Sequence, residues 1–166
     1  MYFQSSYQSP LGKMTLVTSE RGLHGLWFAN QTHFGKGFDL LEIPQVETPI
    51  HVKVCQWLTT YFKGEMPELE PAIFLPIGTP YRQRVWRQLS QIPYGETVSY
   101  QWIAEQLNKE PLAKKTAARA VGGAVGHNPI SLFIPCHRVV GSNGAITGYA
   151  GGIERKQALL DLETRQ

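Results

Sequence analysis

Three short runs near the amino terminus carry the spacing of β-strands, at residues 2–7, 13–19 and 22–28. A turn at Ser9-Pro10-Leu11-Gly12 joins the first two, since proline presets one turn position and glycine frees another. The period then changes. Over residues 49–63, Ile50, Val54, Trp57, Leu58 and Tyr61 recur at helical spacing and predict a helix with one buried side. Residues 64–80 hold four prolines and read as a turn, a short extended run near 73–75, and a crossing to the second half.

The second half is mainly helical in pattern. Thr79-Pro80 opens a helix whose apolar stripe is Val85, Trp86 and Leu89, ending before Pro93. Tyr94-Gly95-Glu96-Thr97 reads as a turn, and Ser99 as the cap of a helix through Tyr100, Ile103, Ala104 and Leu107. Residues 108–112 break the pattern. A third helix is expected from near Ala113, carrying Lys114, Lys115, Thr116 and Arg119. Three helices with a basic third member have the order of a helix-turn-helix unit. Gly122-Gly123 weakens that helix, but glycine permits tight packing or a phosphate close against the backbone. Residues 130–134 read as an extended apolar run ending at Pro135-Cys136. Val139-Val140 and Ala145-Ile146-Thr147 flank Gly141-Ser142-Asn143-Gly144, a hairpin signal and candidate wing. A last helix is expected over residues 153–162.

Composition narrows the class. The 166 residues suffice for one ordinary domain or two small ones, and 42% are hydrophobic. No run approaches a membrane span and no secretory signal is evident, so the cytoplasm is the expected compartment. Cys55 and Cys136 are too few for a disulfide framework, and neither sits in a Cys-x-x-Cys pair, so no metal site is expected. Cys55 falls in the helix over 49–63 and reads as inert core; His24, His33 and His51 read as ordinary surface or core residues. Residues 1–79 hold five Lys or Arg against seven Asp or Glu, net −2, while residues 80–166 hold eleven against six, net +5. Any polyanion-binding surface therefore belongs to the second half.

Pro135-Cys136-His137-Arg138-Val139 carries the candidate chemistry. A thiol is mostly protonated near neutrality, and an imidazole or positive field converts it to the nucleophilic thiolate. Adjacency alone leaves a reactive cysteine and a buried structural thiol both open. It also leaves Arg119 open as a phosphate contact or surface residue, Glu163 as a solvated carboxylate, and Tyr100 and Tyr149 as half-buried aromatics.

This signature resembles that of the 6-O-alkylguanine-DNA alkyltransferases. The resemblance extends through Ala117-Ala118-Arg119-Ala120-Val121-Gly122-Gly123, Asn128-Pro129, Tyr149-Ala150-Gly151-Gly152, the terminal helix to Glu163, and Gly95-Glu96-Thr97-Val98-Ser99-Tyr100 upstream. It is strong over about residues 79–163 and weak before them. It implies an α/β protein with a small ribonuclease-H-like domain over residues 1–78 and a winged-helix-like catalytic domain over 79–166. It also implies a single-use transfer of a methyl or other small alkyl group from guanine oxygen 6 to Cys136, with a related action on 4-O-methylthymine compatible. By the same resemblance, His137 relays the cysteine proton and Glu163 orients the imidazole, with Glu163→Gln expected to keep the fold. Tyr100 donates to the leaving guanine and lies near the rotated phosphate. Tyr149, Asn128, Val139 and Ala150 form or support the base pocket. Arg119 fills the gap left by the flipped base, with Lys114 and Lys115 also on DNA. The implied partner is duplex DNA bearing alkylated guanine, bound by a monomer without a cofactor. For Arg138, a backbone or carboxylate bond and a DNA contact both stay open. The connection before Arg119 is longer than the family pattern, Ala150 stands where a serine is found, and the amino-terminal zinc ligands of the human relative have no counterpart.

Three other readings stand beside this one. A lesion binder of the same fold would lack the cysteine. A winged-helix regulator would not need Pro-Cys-His-Arg-Val. A cysteine hydrolase would pair thiol and imidazole directly, which adjacent side chains do poorly.

Overall fold

A computed structural model describes residues 1–164, which divide into two compact units. The first comprises Met1–Ile77 together with residues 129–131; the second comprises Gly78–Asn128 and Leu132–Thr164.

In the first unit, β1 (Phe3–Ser9), β2 (Gly12–Thr18) and β3 (Leu23–Phe28) form an antiparallel sheet in that order. Gly12, at φ +116, closes the first hairpin where Ser9 pairs with it. β3 is buried throughout; on one side Trp27 meets Phe34 and Phe38 at 6.0 and 5.9 Å between ring centroids. α1 (Pro49–Phe62) packs on β1 and β2. Its start follows from Thr48, whose hydroxyl accepts from His51 N at 3.1 Å, and from Pro49 in the first turn. Its buried residues are His51, Val54, Trp57, Leu58 and Tyr61, so His51 is buried where Ile50 was expected and Ile50 is half-buried. The expected extended run near 73–75 is in part a 3-10 turn, Pro71–Ile73, after which Leu75 N donates to Leu23 O at 2.8 Å. Residues 129–131 run along β3, with Leu26 N donating to Pro129 O and Ser131 N to Leu26 O.

In the second unit, α2 (Pro80–Leu89), α3 (Tyr100–Asn108) and α4 (Ala118–Gly126) pack together. Thr79 caps α2 through Arg82 N, and Ser99 caps α3 through Trp102 N. Trp86 Nε1 donates to Ala124 O at 2.9 Å, tying α2 to α4. α5 (Ile153–Thr164) packs against a 3-10 turn at Cys136–Arg138.

Three expectations are corrected here. The third helix begins at Ala118, not near Ala113, so Lys114 and Lys115 lie in the connection before it. That segment stays extended because Asn108 takes both backbone groups of Thr116: Nδ2 donates to Thr116 O and Thr116 N donates to Oδ1. The wing is not a β-hairpin. β5 (Val139–Val140) pairs in parallel with β4 (Val98–Ser99), and Gly141 N bonds Ala145 O across a tight loop instead. The run over 130–134 is not a strand, since Leu132 turns the chain at φ +73 and only Ile130 bridges β3.

Candidate active site

The 3-10 turn at Cys136–Arg138 is the origin of the site. Its three residues per turn send successive side chains about 120° apart. Cys136 therefore faces one way and His137 and Arg138 others, although all three are buried. Cys136 lines a cavity of about 190 Å³ with Tyr100 and Tyr149, over small residues Gly122, Gly126, Gly148 and Ala150 and beside Val125. Gly122 faces the Tyr100 ring, and a Cβ there would stand 3.9 Å from it, at ordinary contact distance.

On the other side of the turn lies a buried charge network. His137 Nε2 lies 2.5 Å from Glu163 Oε2, and Arg138 donates through Nε to Oε1 at 2.7 Å and through Nη2 to Oε2 at 3.1 Å. Arg138 Nη1 also reaches Ile92 O at 2.7 Å, and Gly95 N donates to Glu163 Oε1 at 3.2 Å. Gly95 sits at φ +82 with room for a Cβ only 3.2 Å from Glu163 O, so both conformation and space call for glycine. Burial pushes the Glu163 acid up, but the bonds and charges of His137 and Arg138 outweigh it and hold the group well below the ordinary carboxylate range. Burial, the largest cause, lowers His137; the Glu163 bond and charge oppose it, and the Arg138 and Lys156 charges add to the lowering. A neutral imidazole donating from Nε2 to an ionised Glu163 carries its lone pair on Nδ1.

Burial raises the Cys136 thiol, while the Asn128 side chain, the Lys156 charge, a backbone bond and Tyr149 favour the thiolate. The resting group is a thiol with its anion's partners already in position. Tyr100 is raised first by burial, partly offset by a side-chain bond with Thr147. Asn128 is buried and donates from Nδ2 to Ile134 O at 2.7 Å, bracing the segment before Cys136. Val139, expected as a pocket residue, is not among the residues lining that cavity; it is buried in β5 and offers its carbonyl to Lys156. Arg119 is exposed in the first turn of α4, Lys114 is exposed before it, and Lys115 donates to Asn108 O at 2.9 Å. For Arg138 the structure selects the carboxylate and backbone bonds.

Lys156 was not singled out from the sequence. It is fully buried in α5, and its ammonium donates to Val139 O at 2.5 Å, Thr147 O at 2.9 Å and Gly148 O at 3.3 Å. It thus joins the strand after Cys136 to the loop carrying Gly148, Tyr149 and Ala150. Burial lowers its pKa to about 8, against the opposing pull of Cys136. A usable signal was present: Lys156 and Glu163 share the buried stripe of α5 with Leu159 and Leu162, where apolar residues are the rule.

The other thiol differs. Cys55 Sγ lies within weak hydrogen-bond reach of the two nitrogens of His51, at 3.5 Å from Nε2 and 3.8 Å from Nδ1. Burial and then the Glu47 charge push it up to about 11, away from the thiolate. Among the described residues, no group of three or more His, Cys, Asp or Glu is arranged to hold a metal ion, and no helix is long and apolar enough to cross a membrane.

A family model described as 6-O-methylguanine DNA methyltransferase, DNA binding domain, matches residues 80–165, and the ribonuclease-like domain of the same description matches residues 2–73. The chain belongs to the 6-O-methylguanine DNA methyltransferase family. A methylated-DNA–protein-cysteine methyltransferase of Mycolicibacterium paratuberculosis is 43% identical over 157 residues, which is 95% of this chain and 89% of that protein. One from Methanosarcina acetivorans is 38% identical over 98% of each chain. The crystal structure of Mycobacterium tuberculosis OGT in complex with DNA superposes with a TM-score of 0.84 at 40% identity, covering 98% of this chain and 92% of that one. The α/β class, with a ribonuclease-like unit before a helical DNA-binding unit, agrees with these relatives.

Proposed function

We propose that this methyltransferase-family chain is a DNA-repair protein that takes a methyl or other small alkyl group from guanine oxygen 6 onto Cys136, once per molecule. The observation that carries the reading is Cys136 on a small aromatic-walled cavity, backed by the buried His137–Glu163–Arg138 network. As the base enters, the thiol proton passes to Nδ1 of His137. Successive side chains of the turn diverge, so a water relays it. The sulfur then attacks the alkyl carbon, a C–S bond forms as the C–O bond breaks, and the electron pair leaves with guanine oxygen 6. Tyr100 donates a proton or hydrogen bond to the departing ring. Glu163 and Arg138 hold the imidazole and accommodate its charge. The thioether does not hydrolyse at a useful rate, so the protein is consumed. The alkyl donor is the DNA itself, and no cofactor enters the balance.

A base inside a duplex cannot reach a cavity of this kind without leaving the stack. Arg119, exposed at the start of α4, is suited to occupy the space it leaves, with Lys114 and Lys115 toward phosphate. Tyr149 and Ala150 face the base, and Asn128 and Val139 brace the segment around it. A monomer is sufficient, because every group named belongs to one chain. A reduced reactive thiol suits the cytoplasm.

The test is stoichiometric. Excess duplex DNA carrying labelled 6-O-methylguanine should load at most one label per chain, on Cys136, with no added methyl donor. Several transfers per molecule, or label on Cys55, would reject the reading.

A further inference from the structure

The connection from α3 to α4 spans residues 109–117, longer than the three or four residues a helix-turn-helix turn needs. It is not loosely held. Asn108 and Thr116 exchange two hydrogen bonds, at 2.9 and 2.8 Å, and the hydroxyls of Tyr81 and Thr116 share another at 2.6 Å. Glu110 pairs with Arg84 at 2.8 Å. Between these anchors the chain presents Leu112, whose relative exposure is 107% and whose φ is +65.

Leucine costs twice at this position. Its backbone lies in the left-handed region that glycine or asparagine occupies with less strain, and its apolar side chain stands wholly in water. A single exposed leucine needs no explanation. A rigidly anchored, strained and fully exposed one gains nothing within the described residues, so the return lies in a partner. The surrounding charge says which. Lys109, Lys114 and Lys115 are exposed on the same connection and Arg119 opens the next helix, while Glu110 is engaged by Arg84. Cations around an apolar tip match a duplex, whose phosphate lines flank apolar sugar and base edges.

We propose that Leu112 is an apolar wedge that seats against duplex DNA beside the damaged base, with Lys114 on an adjacent phosphate. The proposal rests on the DNA-repair reading above and adds a contact from the connection between α3 and α4.

The experiment uses the full chain, a duplex carrying 6-O-methylguanine and the matching single strand. Leu112→Gly and Leu112→Ser should each weaken duplex binding about tenfold, the scale of one buried leucine side chain. The salt slope should stay unchanged, because no phosphate contact is lost. Leu112→Met should retain the affinity. Methyl transfer from the single strand should be unaffected, since no stack is present to wedge. Leu112→Gly should melt at or above the wild-type temperature, which separates lost contact from lost fold. Lys114→Ala should instead lower the salt slope by about one. Wild-type duplex affinity in Leu112→Gly overturns the proposal, and so does a defect confined to self-association or to anionic vesicles. Failure of the wild-type chain to transfer methyl from either DNA bears on the repair reading alone, because the affinity measurements still report on the wedge.

Discussion

Lys156 shows how one side chain can serve both shape and charge. Its three carbonyl bonds hold the loop with Tyr149 and Ala150 against the strand that follows Cys136, and its charge favours the thiolate. Lys156→Met removes both. Single-turnover methyl transfer should fall about 10- to 100-fold, the range expected when reacting groups are displaced by an ångström or so. The rate should also need a higher pH to rise, because the thiol loses a cation that lowers it. Lys156 gives up its own proton near pH 8, so the wild-type advantage should narrow above that pH. A variant with the wild-type rate and pH profile from pH 6 to 9 would remove Lys156 from the machinery.

Among the elements, the junction of β4 with α3 is the most economical. Val98–Ser99 pairs in parallel with Val139–Val140, immediately after the Cys136 turn, and Ser99 also caps the helix on which Tyr100 is the first residue. One hydroxyl thus fixes the direction in which Tyr100 enters the cavity. Ser99→Ala should cost about 1 kcal/mol in chemical denaturation, the usual loss of a helix cap. It should also slow transfer while leaving the Cys136→Ser form of each protein with equal affinity for undamaged duplex. An unchanged transfer rate would mean that β4 pairing alone positions Tyr100. These same elements show which local patterns were readable. α1 keeps its expected stripe except that His51 is buried in place of Ile50, and the starts at Thr79 and Ser99 and the stripes of α2 and α3 appear where spacing and cap chemistry put them. The start of α4 does not. Ala117 offers no capping side chain, and the two bonds from Asn108 hold Thr116 extended, a competition that no helical period reveals.

Across the molecule, pH should act through the buried network. Glu163 is held well below the ordinary carboxylate range, so it stabilises the fold fully above about pH 4.3, its unfolded value, and loses that contribution only as pH falls through the lower folded value. His137 is buried and lowered, so the unfolded chain binds its proton first and stability declines as pH falls below about 6.5. Glu163→Gln should cost about 3–5 kcal/mol near neutrality, because Arg138 is left buried without its anion. The gap to the wild type should close only in strong acid. This revises the expectation that the substitution would spare the fold, since Glu163 also serves Arg138 and Gly95. Melting curves from pH 3 to 8 would show it, and equal stability at pH 7 would contradict it. Charge counting also needs the fold: of the basic excess in residues 80–166, Arg138 and Lys156 are buried and contribute nothing to a DNA-facing surface.

Order along the chain was enough to name the family, the α/β class and most elements, and to single out Cys136 as the candidate nucleophile. The elements rest on local physics, namely periodic burial, caps and turn residues, and the family rests on the resemblance of several ordered motifs around the Cys-His signature. Long-range placement settled the rest. Glu163 follows His137 by 26 positions, and only the packing of α5 on the Cys136 turn brings them to 2.5 Å. The same packing buries Lys156 and turns Arg138 inward. The parallel pairing of Val98–Ser99 with Val139–Val140, in place of a local hairpin, likewise joins segments some forty residues apart. A local code can signal a turn, but strands choose partners by total burial and hydrogen bonding, and those sums exist only once the chain is folded.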